Sequence, residues 1–254
     1  MIRAALAAAL LAAAAAPATA ESLVVSLSSD RVAITSNYTG SSVVVFGAIE
    51  RDAQTVPRSG DYAIVVTVRG PPQSVVVREK EPFGPVWLNR EAQRFPLAPA
   101  YIGVFASGPL AAIADEPVRR RLRLGVPAIV HAPDFTNDRG GRDQPFREAL
   151  VRLKDRDRLY ISNEAGVTFL TPALFRASVP LPAIAPPGGY EVEVTLMLDG
   201  VALSRVGTGF RLFKMGFEEQ VGAIARNWSA AYGIVTAACA VLLGWFASVI
   251  FRRD

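Results

Sequence analysis

"GDYAIVVTV" (Gly60–Val68) and "GGYEVEVTL" (Gly188–Leu196) align without a gap and share the pattern G-x-Y-x-[IV]-x-V-T-[VL]. In each, a Gly turn leads into a tyrosine that opens an alternating strand, whose every second residue shares a face. Tyr62, Ile64, Val66 and Val68 form one such face. Tyr190, Val192 and Val194 form the other, with Glu191 and Glu193 opposite. A tyrosine in this place buries its ring while its hydroxyl reaches a backbone partner. Phe46 and Phe175 stand upstream at nearly equal separation. Two readings are open: an internal repeat that makes two related sandwich-like units, or coincidence between β-rich segments.

Working outward, residues 21–110 read as seven short strands: "LVVSL", "RVAIT", "SVVVFGAI", "DYAIVVTVRG", "SVVVREK", "PVWLN" and "YIGVFA". Turn residues such as "SSD", "NYTG", "RSGD" and "RGPP" separate them. Seven strands at this spacing predict a mainly β chain built on an immunoglobulin-like β-sandwich. A second strand-rich block at 158–215 is short for a sandwich, so it is either incomplete or borrows an edge from the first. Between the blocks, 111–157 is a helical and loop connector. "PLAAIADEPVRRRLRLGVPAIV" reads as a helix interrupted at Pro117 and ended near Gly125. "PFREALVRLKDRD" reads as an amphipathic helix with Pro145 at its first position and Phe146, Leu150 and Leu153 on one side.

The apolar excess, 51% of the chain, is concentrated at the two ends. Residues 1–20 have one Arg, an Ala/Leu run and the small-x-small site Ala18-Thr19-Ala20, the form of a secretory signal peptide cleaved before Glu21. Residues 229–251 carry no charge, and about 20 such residues cross a bilayer as a helix. Trp228 and Tyr232 mark one interface; Arg252 and Arg253, in a 252–254 stub, mark the cytoplasmic side. The expected topology is a single pass in a bacterial inner membrane, body in the periplasm and C-terminus in the cytoplasm. Gly233, Ala237, Ala240, Gly244 and Ser248 line one face of the span with small side chains, a surface for packing against another helix. The stem, 216–228, places Phe217, Val221, Ile224 and Trp228 on one stripe.

Chemistry is harder to find. Cys239 is the only cysteine and lies within the span, so the exported body has no internal disulfide, thiolate metal site or redox pair. His131 is the only histidine; Asp134, Asp138 and Asp143 follow it on a loop that lacks calcium-loop spacing. "RRRLR" (Arg119–Arg123) suits a solvated helix face with ion pairs, or else an anionic partner. No GxSxG, HExxH, GxGxxG or P-loop pattern is present, and the net charge of +4 is spread along an exported chain, which excludes nucleic acid.

The body segment "TPALFRASVPLPAIAPPGGYEVEV", the stem "FKMGFEEQVGAIARNWSAAYG" and the ending "GWFASVIFRR" together resemble a family of predicted alphaproteobacterial transmembrane proteins with no established activity. The resemblance covers nearly the whole mature chain and brings no catalytic motif. Members look like genomic neighbours of sulfite-exporter-type permeases, which implies a transporter accessory role. The expectation is therefore a non-enzymatic, membrane-anchored accessory protein without metal or cofactor. Its partners would be the lipid bilayer and another inner-membrane protein, or a second copy through the span. The alternatives are a periplasmic hydrolase-type or metal-dependent enzyme using His131 and nearby carboxylates, and a ligand or metal sensor.

Overall fold

The two tyrosine-led segments lie side by side. β4 (Ala63–Arg69) and β11 (Gly188–Leu198) pair antiparallel, with Val66 opposite Val194. β3 (Gly40–Arg51) and β10 (Leu174–Pro182) make a second antiparallel pair, with Gly47 opposite Phe175. One sequence offset relates both of these facing pairs, so an approximate two-fold axis runs through two stacked sheets. The computed structural model behind this description covers residues 21–34, 39–51, 61–132, 135, 143–214, 225 and 228–250. Residues 1–20, Asp134, Asp138, Phe217, Val221, Ile224, Arg252 and Arg253 lie outside the described residues.

The first sheet has the order β1-β3-β10-β9, with β1 at Glu21–Leu27 and β9 at Val167–Thr171. The second has the order β2-β12-β11-β4-β7-β8. It takes in β2 (Arg31–Ile34), β7 (Ile102–Ala106), β8 (Tyr160–Asn163) and β12 (Val201–Lys214). Its outermost strands, β2 and β8, each run parallel to their neighbours β12 and β7. The chain is mainly β, as its composition predicts. Residues 21–110 and 158–215 contribute strands to both sheets alike, so the connector separates the blocks in sequence and the sheets rejoin them.

The sheets close on one core. Ile64, Val66, Val68, Val192, Val194 and Leu196 face Val43, Val45, Phe175, Ala177 and Val179, all buried. Each of these side chains larger than alanine contributes about 1.5–3 kcal/mol by leaving water. The aromatic equivalence expected between Phe46 and Phe175 is corrected here. Phe46 points outward opposite Arg176 and is 40% exposed, whereas Phe175 is fully buried. The strand position that matches Phe175 is Gly47, where a Cβ would overlap the Phe175 ring. The two tyrosines also part company. Tyr190 donates to the Pro186 carbonyl at 2.8 Å and stacks on Phe210 at 5.0 Å, while Tyr62 donates to the Glu21 carboxylate at 3.0 Å. Tyr101 ties the sheets by donating to the Pro180 carbonyl at 2.8 Å, and burial pushes its phenol well above the ordinary range.

β4 is buried on both faces, which explains its unbroken apolar run "AIVVTV". The helices that follow pack on its neighbour β7 and on β8. The stretch expected as one interrupted helix forms three: α1 (Leu110–Ile113), α2 (Glu116–Leu122) and α3 (Val126–Val130). Pro117 sits within the first turn of α2 rather than breaking it, because that position needs no backbone donor. The breaks fall at Ala114–Asp115 and at Arg123–Gly125, where Arg123 has φ +57 and Gly125 φ +112. α4 (Gln144–Arg156) follows, with Pro145 in its first turn, as the sequence predicts. Leu150 is buried, but Leu153 is 48% exposed; Arg147 takes the inward position instead.

The fifth and sixth expected strands form but leave the sandwich. β5 (Pro72–Phe83) and β6 (Val86–Pro99) pair only with each other, as a two-stranded arm inserted between β4 and β7. Its root is fastened by Gly70 N–H to the Tyr101 carbonyl (2.8 Å) and Ala100 N–H to the Pro71 carbonyl (2.9 Å).

Candidate functional site

Two features of the body and one of the C-terminal helix can carry function. The first is a cleft between the helical layer and the edge strand β8. It encloses about 630 Å³ and is walled by Arg119, Arg120, Glu116, His131, Ser162 and Glu164. A second cleft of about 430 Å³ shares His131, Pro127 and Ser162, and adds Glu148, Arg152 and Asp155. His131 thus stands on the ridge between the two.

The ridge is built locally. His131 ends α3, and with Nδ1 protonated its ring donates to the Pro127 carbonyl one turn back at 2.8 Å. In that neutral tautomer Nε2 is an acceptor. Glu164 accepts from the Leu110 N–H at 3.3 Å, at the start of α1. Arg120 pairs with Glu116 at 2.5 Å on the exposed side of α2. Arg119 presents a buried Nε that has no hydrogen-bond partner among the described residues. Both arginines thus border the first cleft, Arg120 through its ion pair with Glu116 and Arg119 with its buried Nε. In the second cleft, burial raises the Tyr160 phenol, whose hydroxyl donates to the Pro99 carbonyl at 2.9 Å. Burial of the neighbouring α4 lowers the Lys154 ammonium, with Asp157 opposing the shift.

Of the carboxylates expected around His131, Asp134 and Asp138 lie outside the described residues, and Asp143 is engaged elsewhere. Asp143 is buried and accepts from Arg147 Nε at 2.8 Å, and Arg147 in turn donates to the Val130 carbonyl at 2.7 Å. Its guanidinium carbon lies 6.0 Å from the Phe135 ring centre. This unit locks α4 to α3 and the segment after it. Among the described residues no group of three or more His, Cys, Asp or Glu is disposed to hold a metal ion. Glu191 and Glu193 do lie opposite Tyr190, on the outer face of the second sheet. There Arg69 bonds Glu193 at 3.2 Å and Arg205 also pairs with Glu193.

The second feature is the tip of the arm, where Phe83, Val86, Trp87 and Leu88 are exposed. The sequence carried a signal for it. "FGPVWL" puts apolar residues around a Gly-Pro turn, where a hairpin tip is ordinarily polar. The buried Asp143–Arg147 unit also had one, an acid–base pair at i,i+4 sharing the side of Leu150.

The third feature is α5 (Ser229–Ile250), a 22-residue helix without a charged residue. Every described side chain of it is exposed. The five small residues Gly233, Ala237, Ala240, Gly244 and Ser248 fall on one side, and a Cβ at either glycine would meet nothing within 4 Å. Trp228 and Tyr232 lie at its start, and the Thr236 hydroxyl donates to the Tyr232 carbonyl at 2.8 Å. Arg252 and Arg253 lie outside the described residues. Among the described residues no helix is long and apolar enough to cross a membrane. The side chains at 231 and 249 are outside that description, and the run between them, 232–248, is shorter than the about 20 residues of a crossing.

The family described as "Putative transmembrane protein (Alph_Pro_TM)" matches residues 22–253. None of the curated proteins matches the sequence.

Proposed function

The chain belongs to that transmembrane protein family, and from this premise we propose that it is a membrane-anchored interaction protein, held by α5, whose β body meets a partner outside the cytoplasm. The observation that carries the reading is α5 itself. An uncharged helix of 22 residues is about 33 Å long at 1.5 Å per residue, and its described apolar side chains are exposed. Such a helix is stable in hydrocarbon, where its own backbone bonds satisfy every polar group. The signal-like residues 1–20 and the basic pair Arg252 and Arg253 support a body in the periplasm and a C-terminus in the cytoplasm.

The body reads as one immunoglobulin-like sandwich of the variable type. The order β1-β3-β10-β9 corresponds to strands A-B-E-D, and β12-β11-β4-β7 to G-F-C-C′, while β8, parallel to β7, is an added edge strand. Tyr190, bonded back to Pro186, takes the place of the tyrosine corner before strand F. In that class the B–C, C′–C″ and F–G connections form the recognition end. Here the crossover that links β7 to its parallel neighbour β8 holds the helical layer and its clefts, and this layer is the partner-facing surface. Small residues on α5 add a face for a second membrane helix, from a transporter component or another copy.

Purification of the tagged full chain from native membranes in mild detergent is expected to recover a membrane partner. Gly233→Ile with Gly244→Ile is expected to release it while the body stays folded. Isolation as a lone monomer under several mild detergents counts against the reading.

A further inference from the structure

The β5–β6 arm has no assigned role in the account above, and three observations bear on it. Its root is part of the core: Phe95 and Ala98 are fully buried, and Phe95 packs on Phe135 with ring centres 5.6 Å apart. Its distal part is not. Phe83 is 72% exposed and Trp87 68%, with Val86 and Leu88 beside them. A two-residue turn with Gly84 at φ +62 joins the strands, so the tip is narrow and offers no concave surface. Behind it, Arg78, Lys80, Arg90 and Arg94 alternate with Glu79, Glu81 and Glu91, and Arg90 pairs with Glu81 at 2.9 Å.

Topology supplies the direction. β4 and β12 both run antiparallel to β11, and so parallel to each other. β4 ends at Arg69, opposite Glu191, which in turn lies opposite Gly209 of β12. The chain therefore leaves the second sheet at one and the same end twice, once into the arm and once past Lys214 toward α5. A 12-residue strand such as β5 is about 40 Å long. Residues 215–228, if fully extended, span at most roughly 50 Å. The length of the arm thus falls within the greatest distance by which the chain can separate the body from α5. Trp and Phe favour the membrane–water boundary.

We propose that the tip Phe83–Leu88 inserts into the lipid surface from which α5 emerges, as a second membrane contact that holds the body at a set height and orientation. The proposal rests on the reading of α5 as the anchor. With nearly balanced charge behind the tip, insertion depends on apolar contact and needs no anionic lipid.

The test uses the full chain in a Cys239→Ala background, reconstituted in nanodiscs of phosphatidylcholine. Single cysteines Val86→Cys, at the tip, and Val201→Cys, exposed at the opposite end of the sheet, carry an environment-sensitive fluorophore. At position 86 the emission is expected to be blue-shifted and quenched by spin-labelled lipid, with iodide quenching several-fold weaker than at 201. Adding Phe83→Ser and Trp87→Ser is expected to restore iodide access at 86. Equal iodide quenching at the two sites overturns the proposal. So does protection at 86 without quenching by lipid, which would mark a protein contact. Carbonate washing of the native membranes tests α5 separately: a retained protein with a water-exposed tip refutes the arm contact alone.

Discussion

The hairpins β4–β7 and β11–β12 occupy equivalent places about the approximate two-fold, yet they end differently. β11 turns into β12 through Asp199 and Gly200 alone, both at positive φ, as tight hairpins require. β4 reaches the equivalent point at Arg69 and departs into the arm before β7 returns to pair with it. β7 then departs again, into the helices, before β8 completes the edge. One half of the sandwich is plain and the other holds both elaborations. The core strands pair symmetrically about the axis, while the connections differ between the halves.

The largest expected effect tests the core side of that comparison. Phe175→Ala removes a fully buried ring and is expected to cost about 3–5 kcal/mol, measured by urea unfolding of the purified protein in detergent. Phe46→Ala, at the outward position, is expected to change stability by no more than about 0.5 kcal/mol. Comparable losses at both would mean that the two halves are not arranged about Gly47 and Phe175 as described.

The helical elaboration comes next. Arg147→Ala leaves Asp143 buried without its cation and is expected to cost about 3–5 kcal/mol if the layer unfolds together with the sandwich. Hydrogen exchange reads the difference: protection lost in α4 and retained in β4 would make the layer a separable unit.

The turns give the smallest effects. Gly200→Ala, at φ +79, is expected to lower global stability by about 1 kcal/mol, because an L side chain is strained there. Gly84→Ala, at φ +62 on the arm tip, is expected to disturb the tip locally and leave the unfolding midpoint unchanged. A shift of the midpoint at Gly84 would show the arm to be integral to the core along its whole length.

Much of the strand layout was legible because alternation and turn chemistry are local. All seven segments in 21–110 are strands, and the second block holds β8 to β12. The segments behind the Tyr62/Tyr190 pattern lie side by side as β4 and β11, although the two tyrosines make different contacts. What stayed hidden was tertiary. "SVVVREK" and "PVWLN" alternate like any sandwich strands, and nothing in their pattern says that they pair apart from both sheets. Phe46 and Phe175 look alike in sequence, yet a one-residue difference in register sends one outward and the other into the core. Asp143 follows His131 on one polar stretch of sequence, but its partner Arg147 is one helical turn away and takes it inward. The cleft itself depends on β8 returning from a distant segment to flank β7, which no local signal encodes.

The central claim is that α5 lies in hydrocarbon, and Cys239, near its middle, reports on it directly. In intact membranes opened to both faces, the thiol is expected to resist a charged, water-soluble maleimide and to react fully once the protein is denatured in SDS. Labelling in the intact membrane at the rate of the denatured chain would contradict the account.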